Sequence, residues 1–264
     1  MYSYLLRIAL GVCTILGIST AATGQTHEPL TADSAIDSIL DALDARGKTL
    51  KDFTADVVLT QANPAVGDEN SRKGKIQFQT REANNARVRV NFTEHILGSM
   101  DAVNKKIRPE QLEYLLDGQW LTTRDYAKSE QVRTQVARPG EKINLFKLGQ
   151  GIFPLPIGQS KEDVHQQFAV QKIPPDKEDP PGSVHLLLIT NAGTSLARKY
   201  KKIDIWVDLK LELPVKIETL DPHEAVDATT QFSNIKLNAG LKDSDFELPS
   251  IDNNWNLRDE PLQQ

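Results

Sequence analysis

Residues 203–217 constrain this chain more than any other stretch. Ile203, Ile205, Val207, Leu209, Leu211, Leu213, Val215 and Ile217 are all aliphatic, while Asp204, Asp208, Lys210, Glu212, Lys216 and Glu218 sit on the even positions, with Trp206 and Pro214 as the exceptions. Alternation with period two describes a sheet with one apolar and one solvated face. As one strand the segment would reach roughly 50 Å, several times the usual length. It is therefore expected to fold back near 208–212, with Leu213-Pro214 starting the return. The even positions then form the solvent side, and the functional question is what covers the odd ones.

The rest of the chain supplies little helix for that purpose. Residues 32–46 place Ile36, Ile39, Leu40 and Leu43 on one helical face, with Thr31 or Asp33 as cap and Gly47 as terminator. Strands are expected at 53–60, 73–80, 86–92, 113–121, 131–136, 164–171, 184–190 and 231–237, and 246–249 closes the fold. Asp117-Gly118 favours a tight type I′ hairpin turn. Residues 103–111 are polar and helix-compatible, a local insertion; 173–182 form a Pro-rich loop; 253–264 read as a loose polar tail. Residues 141–148 read as a short helix, running into an apolar loop with Ile152, Phe153, Leu155 and Ile157. Because surface loops are normally polar, this loop must be buried or must cover something apolar. Nine to eleven antiparallel strands against one good helix predict a mainly β (α+β) chain whose large sheet closes, stacks or curls around an apolar interior.

The N-terminus reads as a secretory signal over residues 1–23. Arg7 precedes an apolar run of about 11 residues, short of the ~20 that span a bilayer, and Thr20-Ala21-Ala22 fits small-x-small cleavage. The expected location is the periplasm. Cys13 is the only cysteine and lies in this segment, and Val12 before it disfavours lipid attachment. The mature chain would have neither disulfides nor thiol chemistry. The net charge of −5 is spread without a basic block, which argues against nucleic acid. His27, His95, His165, His185 and His223 lack metal-ligand spacing, and no nucleophile elbow occurs. No metal, no cofactor and no catalysis are expected.

Several motifs come in a recognisable order: Leu50-Lys51-Asp52-Phe53-Thr54-Ala55-Asp56, Gly74-Lys75-Ile76-Gln77-Phe78, Leu116-Asp117-Gly118-Gln119-Trp120-Leu121, Trp206-Val207-Asp208, Leu213-Pro214-Val215-Lys216, Phe232-Ser233-Asn234-Ile235 and Asp245-Phe246-Glu247-Leu248-Pro249. Over roughly 34–249 the chain resembles the outer-membrane lipoprotein carrier family, the LolA-like proteins. The resemblance implies an incomplete β-barrel around an apolar cavity, closed by short lid helices, which shields lipoprotein acyl chains; two or three chains would need a large dry cavity. It implies a monomer that meets an inner-membrane donor complex and an outer-membrane acceptor. The cavity wall is expected at Val88, Val90, Phe92, Ile203, Ile205, Val207, Val215 and Ile217. The lid is expected at Leu145, Phe146, Phe153 and Leu155, and Arg81 stands nearest the family's lid latch. Two other readings stay open: an envelope sensor or regulatory lipid-binding module, and a structural α+β domain whose own side chains fill the sheet.

Overall fold

The computed structural model describes residues 28–82, 85–99, 105–138, 157–224 and 227–262. Their elements run α1 (Ile36–Thr49), β1 (Asp52–Asn63), β2 (Asp68–Glu82), β3 (Asn85–Ser99), β4 (Lys106–Asp117), β5 (Trp120–Asp125), β6 (Glu130–Gln135), α2 (Lys161–Gln167), β7 (Phe168–Ile173), β8 (Ser183–Thr190), β9 (Lys202–Asp208), β10 (Leu213–Leu220), β11 (Asp227–Leu237) and β12 (Asn256–Glu260). All of these strands share one sheet, ordered β12-β6-β5-β4-β3-β2-β1-β11-β10-β9-β8-β7. The pairing is antiparallel throughout, except that β12 runs parallel to β6.

The sheet is strongly curled. Tyr114 on β4 and Ile217 on β10 are five strand positions apart, which is about 24 Å in a flat sheet, yet both line one cavity of about 340 Å³. The end strands β12 and β7 do not pair with each other, so the architecture is an incomplete β-barrel, mainly β with few helices. Register carries the apolar parity from strand to strand: Phe53 faces Phe78, Phe78 faces Val88 and Val88 faces Leu116. Ile39, Leu40 and Leu43 of α1 join these residues in a single buried core.

The 203–217 segment folds back where expected, with Asp208 opposite Leu213. Its even positions, however, are not the solvent side on β9. Asp204 and Trp206 are each 5 % exposed, as well buried as their aliphatic neighbours. The Pro-rich loop folds over this outer face, and its Asp179 accepts the Trp206 indole N–H at 2.5 Å. His185 stacks on the indole at 4.1 Å, and the Lys216 ammonium lies 4.1 Å from the ring centroid.

Other local expectations need correction. Residue Ala35, without a side-chain cap, precedes α1, because Thr31 and Ser34 bond each other in a turn before it. Gly47 lies inside α1, not after it. The β4–β5 turn centres on Gly118 and Gln119, since Asp117 pairs with Trp120, and of these two only Gly118 has positive φ. Residues 106–111 are strand, paired to β3 through their backbone; polar side chains beyond the core concealed it. Residues 161–167 form α2, capped by Ser160 accepting from the Asp163 N–H, before β7 begins. A short 3-10 helix, Asp243–Phe246, leads into the 246–249 segment. The tail is also partly ordered, as β12.

Candidate ligand-binding cavity

The concave face is only partly covered by α1. Arg46 near the end of α1 pairs with Glu212 in the β9–β10 turn at 2.9 Å, and Lys172 of β7 donates to the Ser34 carbonyl at 3.0 Å. The helix thus crosses the end of the sheet where β10 begins. Toward the other ends of β1 and β10 a cavity of about 340 Å³ stays open. It is walled by Leu59 and Gln61 of β1, Arg72 of β2, Val90 and Phe92 of β3, Tyr114 of β4, Ile217 and Thr219 of β10, Ala228 and Thr230 of β11, and Tyr200 before β9. Register explains the grouping: Leu59 faces Arg72 on one side and Thr230 on the other, and Thr230 faces Ile217.

The volume lies near the lower end of the about 300–1,000 Å³ usual for ligand pockets. At roughly 30 Å³ per water-sized group, it takes on the order of ten methylenes. Among the described residues there is room for one acyl chain, not the two or three expected.

Polar groups gather at one side of the cavity. Arg72 Nε donates to Glu110 Oε2 at 3.0 Å. The other oxygen of Glu110 is 3.6 Å from His95 Nδ1, and His95 Nε2 is 2.8 Å from Asn70 Oδ1. Tyr114 meets Phe92 edge-on at 6.1 Å. Burial pushes the pKa of both phenols, Tyr114 and Tyr200, above the ordinary tyrosine value, so they remain neutral donors. Arg72 and Tyr114 also border a wider recess of about 910 Å³ with Arg108, Asp125 and Lys128. The site can hold an apolar group reversibly, with each buried methylene worth about 0.8 kcal/mol. Among the described residues no cluster of three or more His, Cys, Asp or Glu could hold a metal.

No family model matches the chain, and no curated protein does. Solved structures do. An uncharacterized conserved protein from Thermus thermophilus aligns with TM-score 0.46 and 11 % identity over 84 % of this chain and 97 % of that one. LprF from Mycobacterium bovis aligns with TM-score 0.43 and 16 % identity over 78 % and 94 %. The LolA superfamily protein NE2245 from Nitrosomonas europaea aligns with TM-score 0.32 and 15 % identity over 80 % and 96 %.

Of the residues expected on a LolA-like cavity wall, Val90, Phe92 and Ile217 line the cavity. Val88, Ile203, Ile205 and Val207 are buried in the core instead and do not border it. Val215 falls out of register: Pro214 faces Val207 and Lys216 faces Trp206, which leaves Val215 as the extra residue of a bulge. Arg81 sits on the convex face, 3.0 Å from Asp117 and 3.9 Å from Asp243. The lid positions Leu145, Phe146, Phe153 and Leu155 lie outside the described residues, as do the signal segment and Cys13. The neighbouring Ile157 is buried in the core. Leu59, Arg72, Tyr114, Tyr200 and Thr230 were missed. A signal existed for Arg72, which shares the parity of Ile76 and Phe78 and so places a cation on the apolar face of β2. Tyr200 lies outside any strand, and no periodicity points to it.

Proposed function

We propose that this protein is a periplasmic carrier that binds an acyl chain of a lipoprotein or lipid in its half-barrel cavity, receives it from an inner-membrane donor and hands it to an outer-membrane acceptor. One observation carries the reading: an apolar concave cavity between Leu59, Val90, Phe92 and Ile217 that α1 leaves unfilled. A domain built only to fold would be expected to close such a space, since each unfilled methyl-sized void costs about 1 kcal/mol. Burial of ten methylenes yields roughly 8 kcal/mol before the costs of association, a range that holds a chain yet still releases it. No covalent step is required. The motif order along the chain supports the same role, and the N-terminal signal pattern supports export.

Native mass spectrometry of the mature protein from envelope extracts tests the proposal. Acylated cargo is expected on the wild type and not on Ala228→Phe, which fills the cavity from a lining position. A wild type that carries no lipid and binds no acyl probe would sink the carrier reading.

A further inference from the structure

The described wall of the cavity holds one guanidinium, two phenols and no carboxylate. That inventory is rich in donors. Glu110 engages Arg72 through Nε, and the two terminal nitrogens of Arg72 have no hydrogen-bond partner among the described residues. A guanidinium held by Nε still presents donors in the planar geometry that fits carboxylate or phosphate oxygens. The hydroxyls of Tyr114 and Tyr200 likewise have no protein partner among the described residues, and burial keeps both protonated. Donors beside an apolar wall are costly to desolvate unless a ligand accepts from them. Arg72 is 26 % exposed in its side chain and stands at the junction of the apolar cavity with the wider polar recess. A chain lying among Leu59, Val90 and Ile217 would bring its head to this junction.

We infer that the ligand is a single-chain amphiphile with an acidic head, a carboxylate or a phosphate ester, seated on Arg72. The inference rests on the reading of the cavity as an acyl-chain site and specifies what terminates that chain. Neutral amphiphiles of the same length leave the Arg72 donors unpaired and bind less tightly.

The test uses delipidated mature protein with N-phenyl-1-naphthylamine, an uncharged apolar reporter, in the cavity. Displacement is compared for palmitate, 1-palmitoyl lysophosphatidic acid and palmityl alcohol. At least one of the two acids is expected to displace the reporter at about one tenth of the alcohol concentration, and the tighter acid identifies the fatty-acid or monoacyl-phosphate source. Arg72→Met should abolish this preference, bringing acids and alcohol to the same displacing concentration, and Arg72→Lys should keep part of it. Should Arg72→Met fail to fold, Tyr200→Phe must still narrow the preference. Equal displacement by acids and alcohol on the wild type would overturn the acidic-head inference and leave the acyl-chain reading standing. No displacement by any of the three would overturn both.

Discussion

Gly47 and Gly158 touch backbone to backbone. A Cβ on Gly47 would lie 2.3 Å from the Gly158 nitrogen and 2.4 Å from its Cα, and the Gly158 N–H donates to the Leu43 carbonyl at 3.2 Å. Alanine is the better helix former by about 1 kcal/mol. Here the opposing atoms are main chain and cannot swing aside. Gly47→Ala is therefore expected to destabilise the protein by about 1–3 kcal/mol, read as a lower urea midpoint. A midpoint equal to or above wild type would show that residues 157–158 move freely.

The Pro-rich loop is clasped through Trp206. The indole donates to Asp179, and its faces are taken by His185 and Lys216. Trp206→Phe keeps an aromatic surface but removes the donor, a loss of about 1–2 kcal/mol. Tryptic cleavage after Lys177 should become faster, with the overall sheet signal in circular dichroism preserved. Unchanged cleavage would mean that the hydrogen bond does not hold the loop.

Asp204 makes the same face sensitive to acid. Burial pushes its carboxyl up, but hydrogen bonds from His185 and Lys202 outweigh that effect, and its pKa lies below the ordinary 3.8. A carboxyl depressed on folding contributes stability that is complete above its ordinary value and is lost as pH falls through the folded one. Asp204→Asn should therefore be less stable at pH 7 and lose less further stability on going to pH 3. Equal acid sensitivity in urea titrations at the two pH values would remove Asp204 as a source.

On the convex face the chain after β11 runs as a strap toward β12. Arg87, 2 % exposed, lies under Phe246 at 4.0 Å from its ring centroid and donates to Gln79 and to Asp243 at 2.6 Å. Arg89 donates to the Asp245 carbonyl at 3.0 Å, and Arg124 donates to the Pro249 carbonyl. Arg87→Met should cost about 2 kcal/mol and raise hydrogen exchange across 243–249. Asp243→Asn, whose side chain is 86 % exposed, should cost under about 1 kcal/mol. Equal losses for the two variants would contradict a strap held from beneath.

Much of the inner wall was legible in the sequence because parity alone sets which side of a strand a residue takes. Val88, Val90 and Phe92 alternate, and so do Ile203, Ile205 and Val207; all six are inward and buried. Parity does not say whether an inward residue meets α1, another strand or open space, so only Val90 and Phe92 of these six border the cavity. Val215 was lost to a bulge that periodicity cannot register. Strand 106–111 was hidden because backbone pairing to β3 requires no apolar side chain. β12 was hidden for the same reason, as a polar strand on a sheet edge.

The sequence by itself determined an antiparallel, mainly β chain with one amphipathic helix and a fold-back at 208–212, because side-chain period and the length limit of a strand are local properties. Tertiary structure decided which apolar positions remain open. That outcome depends on the curl that brings β4 to β10, on the placement of α1 toward one end of the trough, and on the loop that buries Trp206 and Asp204 from outside. It also placed Tyr200, far away in sequence, in the same space as Leu59 and Arg72, which face each other across the β1–β2 hairpin.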